Sequence, residues 1–583
     1  MSHDNKPAPK PAVEATDGTQ PTDDPIDEAT TDRARRREAA LRRLRQTNMS
    51  KRAAAAMGLT AVAAVAAITI AGSVWAPAAP DMDTAARAAN LPATPVLNVC
   101  PGAPVLPDGA GDGEDLDFSP ISSDAVTALS VAATSDLAGN IPGMSYFAAE
   151  TSPDADPSTT QITDSQDEEL QQGPPATAAT DGTVTQDGFF TVISDPDEDG
   201  QSIAVATEPL GGNPGTSAAT TQYAATDGDL AGMTAAACTT AAHQHWLTGA
   251  ITTPGTTAVL NITNPSATNS TVSLQVFAAD GRIEASGASG IVLAPGQTRS
   301  MLVAGLAPVE DSVAVQVSAS GGPVAADIQQ HRLDGIVPAG VDTLQPATTG
   351  STVVIPGLHI PDDADDLDSA SGLDTQTTPT LHLASTGAAA SATITLRGPD
   401  GPVDLPAAAS AVELAAGATT TIDLGGVEPG TYAVEIAADA NVIGSATSLV
   451  FNPAADNDDA AANTQAIDTA YMPSTAPLRG ETMVALPALA DPESQLVLTA
   501  DEDVTVTLTP VDDDGELGEP STQELAADTA VTFDDENAAA FFVETSSTAV
   551  HAGVMIDSSS GLSAMPVNTV SDTGSGLPVR VGY

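Results

Sequence analysis

His243 and His245, in HQHWLTGA, are the pair whose spacing comes nearest to metal chemistry. Residues i and i+2 of a strand share a face, so two imidazoles at this spacing would point the same way. A catalytic zinc takes three protein ligands and keeps one position open. No third ligand lies near these two, and a polar strand edge or loop beside Trp246 accounts for them equally well. Asp195, Asp197 and Asp199 in DPDEDG open like a calcium loop, but the twelfth position is Ala206. A bidentate glutamate is needed there, so weak, millimolar-range calcium binding is the most such a loop could offer. Asp512, Asp513, Asp514 and Gly515 fail in the same way, and Asp-Gly is a standard hairpin turn. His331 could pair with Asp327 or Asp334, yet no activated serine or cysteine accompanies it. No HExxH, GxSxG or phosphate loop occurs. The expectation is a protein without cofactor or catalytic residue. The alternative is an exported metal-assisted hydrolase using His243 and His245 with carboxylates.

Cys100 and Cys238 are the only cysteines. A single disulfide in an oxidising exterior is their natural reading. The closed loop exceeds 100 residues, for which chain entropy gives roughly 4–5 kcal/mol.

That compartment follows from charge. Residues 53–76, AAAAMGLTAVAAVAAITIAGSVWA, carry none. As a helix, 24 residues rise about 36 Å, enough to cross a hydrocarbon core with tilt. Residues 1–52 hold 11 of the 18 Lys+Arg and 9 of the 77 Asp+Glu. Beyond them stand 7 basic and 68 acidic residues. Basic residues before a span stay cytoplasmic, and Trp75 sits where an interfacial aromatic belongs. A cleaved signal peptide is the rival, but such peptides have short leading regions and shorter apolar cores. The expectation is an uncleaved single-pass signal anchor, N-terminus inside and the rest extracellular. Insertion explains the basic run at 33–45, which has no aromatic residue to stack on bases. No nucleic-acid partner is therefore expected.

The acidic part must position whatever chemistry exists. Short alternating strands separated by turn residues recur along it, as in STVSLQVFAAD (270–280) and TTAVLNITN (256–264). Three stretches share one pattern: AVQVSASGGPVAADIQ (314–329), AVEIAADANVIGSATS (433–448) and FFVETSSTAVHAGVMI (541–556). Each reads as a strand, a polar turn, then a strand on small residues. The fold class expected is mainly β: tandem antiparallel, immunoglobulin-like β-sandwich modules after one N-terminal transmembrane helix, with acidic disordered insertions. The boundaries expected are a cytoplasmic basic tail at 1–52, the anchor at 53–76 and a stalk at 77–99. A β-containing region with acidic loops follows at 100–237, then sandwich modules at 238–348, 349–452 and 453–583.

Cys100-Pro101-Gly102, HQHWLTGA (243–250), NITNPSATNSTVSLQVFAADGRIEA (261–285), LAPGQTRSMLVAGLAP (293–308) and VAVQVSASGGPVAADIQQHRLDGIVPAGVD (313–342) carry a resemblance. Together they resemble an actinobacterial family of uncharacterised single-span envelope proteins with a large exported β-rich region. The likeness is best over 238–345. It implies location and fold, and brings no catalytic residue. The functional expectation is a membrane-anchored structural or interaction protein of the cell envelope. Its partner would be an envelope protein or wall polymer. An acidic cation-binding spacer in the wall is a further alternative.

Overall fold

One order of strands, with eight places in two sheets, recurs four times among the described residues of this computed structural model. The structure describes residues 89–90, 94–107, 120–135, 140–152, 157–164, 187–196, 200–210, 215–362, 378–451, 466–489, 492–568 and 576–577. The first repeat comprises Val96–Cys100, Val126–Ser135, Met144–Ala148, Thr160–Thr163, Asp187–Ser194, Ile203–Thr207, Thr216–Ala225 and Gly232–Ala237. Its first, sixth, third and fourth strands form one antiparallel sheet. Its fifth, second, seventh and eighth form the other. The fourth repeat, Gly480–Pro566, has the same strands and connections. In the second, Gln244–Leu344, the fourth place is shared by two strands, Gly281–Ile283 and Ser289–Leu293, which both pair with Ser270–Ala278; Gly401–Val403 and Ala411–Leu414 share it in the third. In the third, Gly350–Pro473, the sixth and seventh strands are one continuous strand, Gly430–Phe451, which passes from one sheet to the other. Alternating Val, Ile and Leu fill the space between the two sheets, as in Leu260, Val272, Val315 and Ile328 of the second repeat. Among the described residues the helical turns are short: Val303–Gly305 and Ala407–Ser410.

Several details differ from the sequence expectation. Residues 100–237 form a repeat of the same topology as the others, with long acidic tracts between strands. Its first strand begins at Val96, inside the span expected to be a stalk. The boundary expected at 452 falls short, because Ile467–Pro473 hydrogen-bonds to Gly430–Phe451 and completes the third repeat. No turn interrupts 433–448: AADAN continues the strand with a register shift. Segment 53–76 and the tail before it lie outside the described residues. Among the described residues no helix is long and apolar enough to cross a membrane.

The four eighth strands do not pair with one another as a sheet. Gly232–Ala237, Val337–Leu344, Ile467–Pro473 and Gly561–Pro566 pack together as a closed set, each against two neighbours, and nearly every residue in them is buried. The first repeat therefore touches both the second and the fourth, and the repeats close into a ring. At the centre, Asp468 accepts four backbone N–H groups. Val341 and Thr469 donate to Oδ1 at 3.0 and 2.9 Å, and Met233 and Leu562 donate to Oδ2 at 3.0 Å each. Each repeat supplies one donor. The residue before each donor is Gly232, Gly340, Gly561 and, in the third repeat, Asp468 itself. The glycines have φ of +146°, +117° and +144°. A Cβ on Gly561 would overlap Asp468 Oδ2, and one on Gly340 would lie 2.7 Å from Thr469 Cβ. The first, second and fourth repeats thus give up a side chain so that the third can place one carboxylate at the axis. Burial pushes that carboxyl up to about 7, against the pull of the four N–H groups.

Asp342 ties the same strands a second time. It accepts Tyr471 N at 2.7 Å and the Ser563 hydroxyl at 3.0 Å, while Ala235 N donates to Ser563 Oγ at 2.8 Å. The Cys100–Cys238 disulfide spans 138 residues and joins the first strand of the first repeat to the residue after its eighth.

Candidate functional site: grooves between neighbouring repeats

Ring closure creates four junctions of one kind. In each, the fifth strand of one repeat, an edge strand, faces the first sheet of the repeat before it. Two junctions are nearly closed, the one between the fourth and first repeats keeping a cavity of about 30 Å³ lined by Ser217, Thr220, Val484 and Met565. Where the fourth repeat meets the first, Phe190, Val511 and Phe542 form a shared apolar core. There the acidic turn at 512–515 is a contact: a Cβ on Gly515 would lie 2.9 Å from the Phe189 backbone. Asp512 Oδ1 accepts Glu516 N at 2.7 Å, so this carboxylate closes a turn. Where the third repeat meets the fourth, the Arg397 guanidinium, 1% exposed, meets Glu435, Asp501 at 2.8 Å and Asp528 at 3.2 Å. Three carboxylates on one cation complete a partly solvated network.

The other two junctions are open. Between the second and third repeats lies a groove of about 370 Å³. It is lined by Thr253, Thr256, Thr378, Thr380 and Thr421, with Asp311, Asp423 and Arg332. Deeper in that junction, Trp246 stacks on Phe277 with ring centres 5.5 Å apart, and Thr419 Oγ1 donates to Ser312 O at 2.9 Å. His382 Nδ1 lies 3.2 Å from Ser312 Oγ, and burial lowers this imidazole to about 4.

Between the first and second repeats lies a groove of about 460 Å³. One wall is Val105, Leu106 and Pro107; the other is Val259, Ser300 and Leu302. Among the described residues no charged side chain lines it. Gln329 holds the first wall in place: its Oε1 accepts Val105 N at 3.0 Å and its Nε2 donates to Val105 O at 2.8 Å. Beside it, Asn261 Nδ2 donates to Asp327 Oδ1 at 3.0 Å, and Ser300 Oγ donates to Asn261 Oδ1 at 2.7 Å. Burial pushes the Asp327 carboxyl up to about 7.

The residues singled out in the sequence are not brought together. His243 is exposed and precedes the strand Gln244–Ala250, whereas His245 is 7% exposed. The His245 Nε2 lies 2.6 Å from Val324 O, and burial lowers its pKa, so that nitrogen is committed to a backbone carbonyl. Asp195 is exposed with φ +47°, and Thr127 Oγ1 donates to it at 3.4 Å. Asp197 and Asp199 lie outside the described residues. Among the described residues no group of three or more His, Cys, Asp or Glu is placed to hold a metal ion. Sequence reasoning did not reach the grooves, because their walls come from different repeats, brought together across as many as 224 residues in the case of Val105 and Gln329.

Residues 192–536 match the family model described as a family of unknown function, DUF5719. The chain belongs to that family. The DUF5719 match begins in the fifth strand of the first repeat and ends in the fourth repeat, so it takes in all of the second and third. It includes both walls of the 370 Å³ groove, but of the 460 Å³ groove it leaves out Val105–Pro107 and Thr151. No curated protein matches. Among solved structures, the pilus backbone RrgB of Streptococcus pneumoniae is similar at 11% identity over 61% of this chain and 86% of that one. Its TM-score of 0.09 is too low to bear on the fold.

Proposed function

We propose that this DUF5719 protein is a non-enzymatic scaffold of the cell envelope. Residues 53–76 anchor it in the membrane, the N-terminus is cytoplasmic, and the closed ring of sandwiches stands outside. The observation that carries this reading is the convergence of four repeats on Asp468. A fold pinned at its centre holds its inter-repeat grooves at fixed geometry, which lowers the entropic cost of binding a partner. Net charge of −59 keeps such a body soluble and favours cationic partners over anionic ones. The Cys100–Cys238 disulfide fits an oxidising compartment.

The test is recovery of partners from cross-linked membranes with tagged full-length protein, alongside alkaline extraction of the membranes. The reading expects the protein to stay with the membrane and to bring down one or a few envelope proteins or a wall polymer. Release as a soluble species, or recovery of nothing above an untagged control, contradicts it.

A further inference from the structure

We propose that the 460 Å³ groove takes an extended polypeptide segment of a partner protein, added as a strand to the edge Gln297–Leu302. This rests on the scaffold reading and names the chemistry of the partner. The strand Gln297–Leu302 pairs on one side with Thr256–Asn264. On its other side the pairing begins and then stops. Glu150 N donates to Gly296 O at 2.9 Å, and Thr298 N donates to Glu150 O at 2.8 Å. This is a parallel bridge between Glu150 and Gln297. Alternate residues of a strand turn their backbone groups to the same side, so Ser300 and Leu302 face the way Thr298 does. Among the described residues neither has a backbone partner on that edge. Both are exposed, Leu302 by 49%.

The open edge runs directly into the groove. From Thr298 to Leu302 it offers about 13 Å of backbone at ~3.3 Å per residue, matched by three or four residues of another strand. Donors and acceptors at that repeat are complemented by a polypeptide backbone in the manner of β-augmentation. Val105, 43% exposed, and Leu302 stand at the two walls and select apolar side chains at alternate positions. Among the described residues the lining is uncharged, and a chain of net charge −59 favours a segment that is neutral or basic.

The experiment screens the full-length protein in detergent against a display library of octapeptides. The library carries apolar residues at alternating positions and lysine at the ends. Selected peptides are then measured by fluorescence anisotropy. The expected result is a binder that loses at least tenfold in affinity against Ser300→Pro, which removes an edge N–H at a position where proline is tolerated. Loss of similar size is expected against Val105→Asp, and when alternate peptide nitrogens are methylated. Unchanged melting temperatures show that the variants fold. Failure of the library to yield a binder, or binders indifferent to all three changes, overturns the proposal. A dimer that Ser300→Pro abolishes, or binding only after deletion of residues 108–119, gives the groove to a second copy or to this chain and also overturns it. The scaffold reading fails separately, if the wild-type protein recovers no partner from membranes. The groove alone fails if Ser300→Pro recovers the same partners as wild type.

Discussion

The carboxylate of Asp468 accepts the backbone N–H of Met233 across 235 residues of sequence, at 3.0 Å. With the equivalent N–H groups of Val341, Thr469 and Leu562 it makes one acceptor serve four repeats. Backbone N–H groups buried without an acceptor are costly, about 1–3 kcal/mol each. The converging strands are therefore held by a side chain that belongs to only one of them.

Glycine at the axis is required by both sterics and backbone angle. Gly561→Ala places a methyl group on Asp468 Oδ2 at φ +144° and is expected to cost about 2–4 kcal/mol. Gly387→Ala, where a Cβ meets nothing within 4 Å, is expected to stay within about 0.5 kcal/mol of wild type. Guanidinium denaturation midpoints compare the two.

Arg397 seals the junction of the third and fourth repeats. Arg397→Met leaves Glu435, Asp501 and Asp528 facing each other without a cation. Those carboxylates are 24%, 47% and 52% exposed, so water reaches them. The expected loss is about 2–3 kcal/mol, below that of a fully buried pair. Adding Asp528→Asn to Arg397→Met should restore part of it, read as a positive coupling in a double-mutant cycle.

The buried acids and imidazoles act in opposite senses on pH. Asp327 titrates at about 7 in the fold, by burial, and near 3.9 when unfolded. The folded state binds the extra proton between those values, so this contribution is complete below about pH 4 and is lost as pH rises through 7. Relative to Asp327→Asn, wild type should therefore lose on the order of 4 kcal/mol from pH 4 to 7. His331, His382 and His551, lowered by burial to about 4, contribute stability above about pH 6.5 that is lost as pH falls through 4. The wild-type profile mixes both, and the difference curve with Asp327→Asn isolates the first.

Reduction of Cys100–Cys238 releases a span of 138 residues. The expected loss is about 4–5 kcal/mol, seen as a lower melting temperature under reductant. The Cys100→Ala, Cys238→Ala double variant should melt where the reduced protein does.

Much of the β architecture was legible because its cause is local. Alternation in STVSLQVFAAD marks a strand with one buried face, and Ser270–Ala278 is that strand. The small residues that made 314–329, 433–448 and 541–556 look alike lie at close contacts: a Cβ on Gly444 would meet Ile436 and Leu383 within 3.0 Å, and one on Gly553 would meet Met472 and Pro356 O. The first repeat was obscured by the acidic tracts between its strands, which break the spacing that reveals a repeat. Asp468 was illegible for a different reason. In AIDTAYMP it reads as one more acid beside an acidic tract, and its meaning depends on glycines at 232, 340 and 561. The grooves are likewise products of ring closure, which no local pattern records.

Hydrogen–deuterium exchange on Asp468→Ala tests the closed ring most directly. The account predicts slow exchange in wild type at Met233, Val341, Thr469 and Leu562, and faster exchange in all four eighth strands at once in the variant. Acceleration confined to residues 466–473, with 232–237, 337–344 and 561–566 still protected, would contradict it.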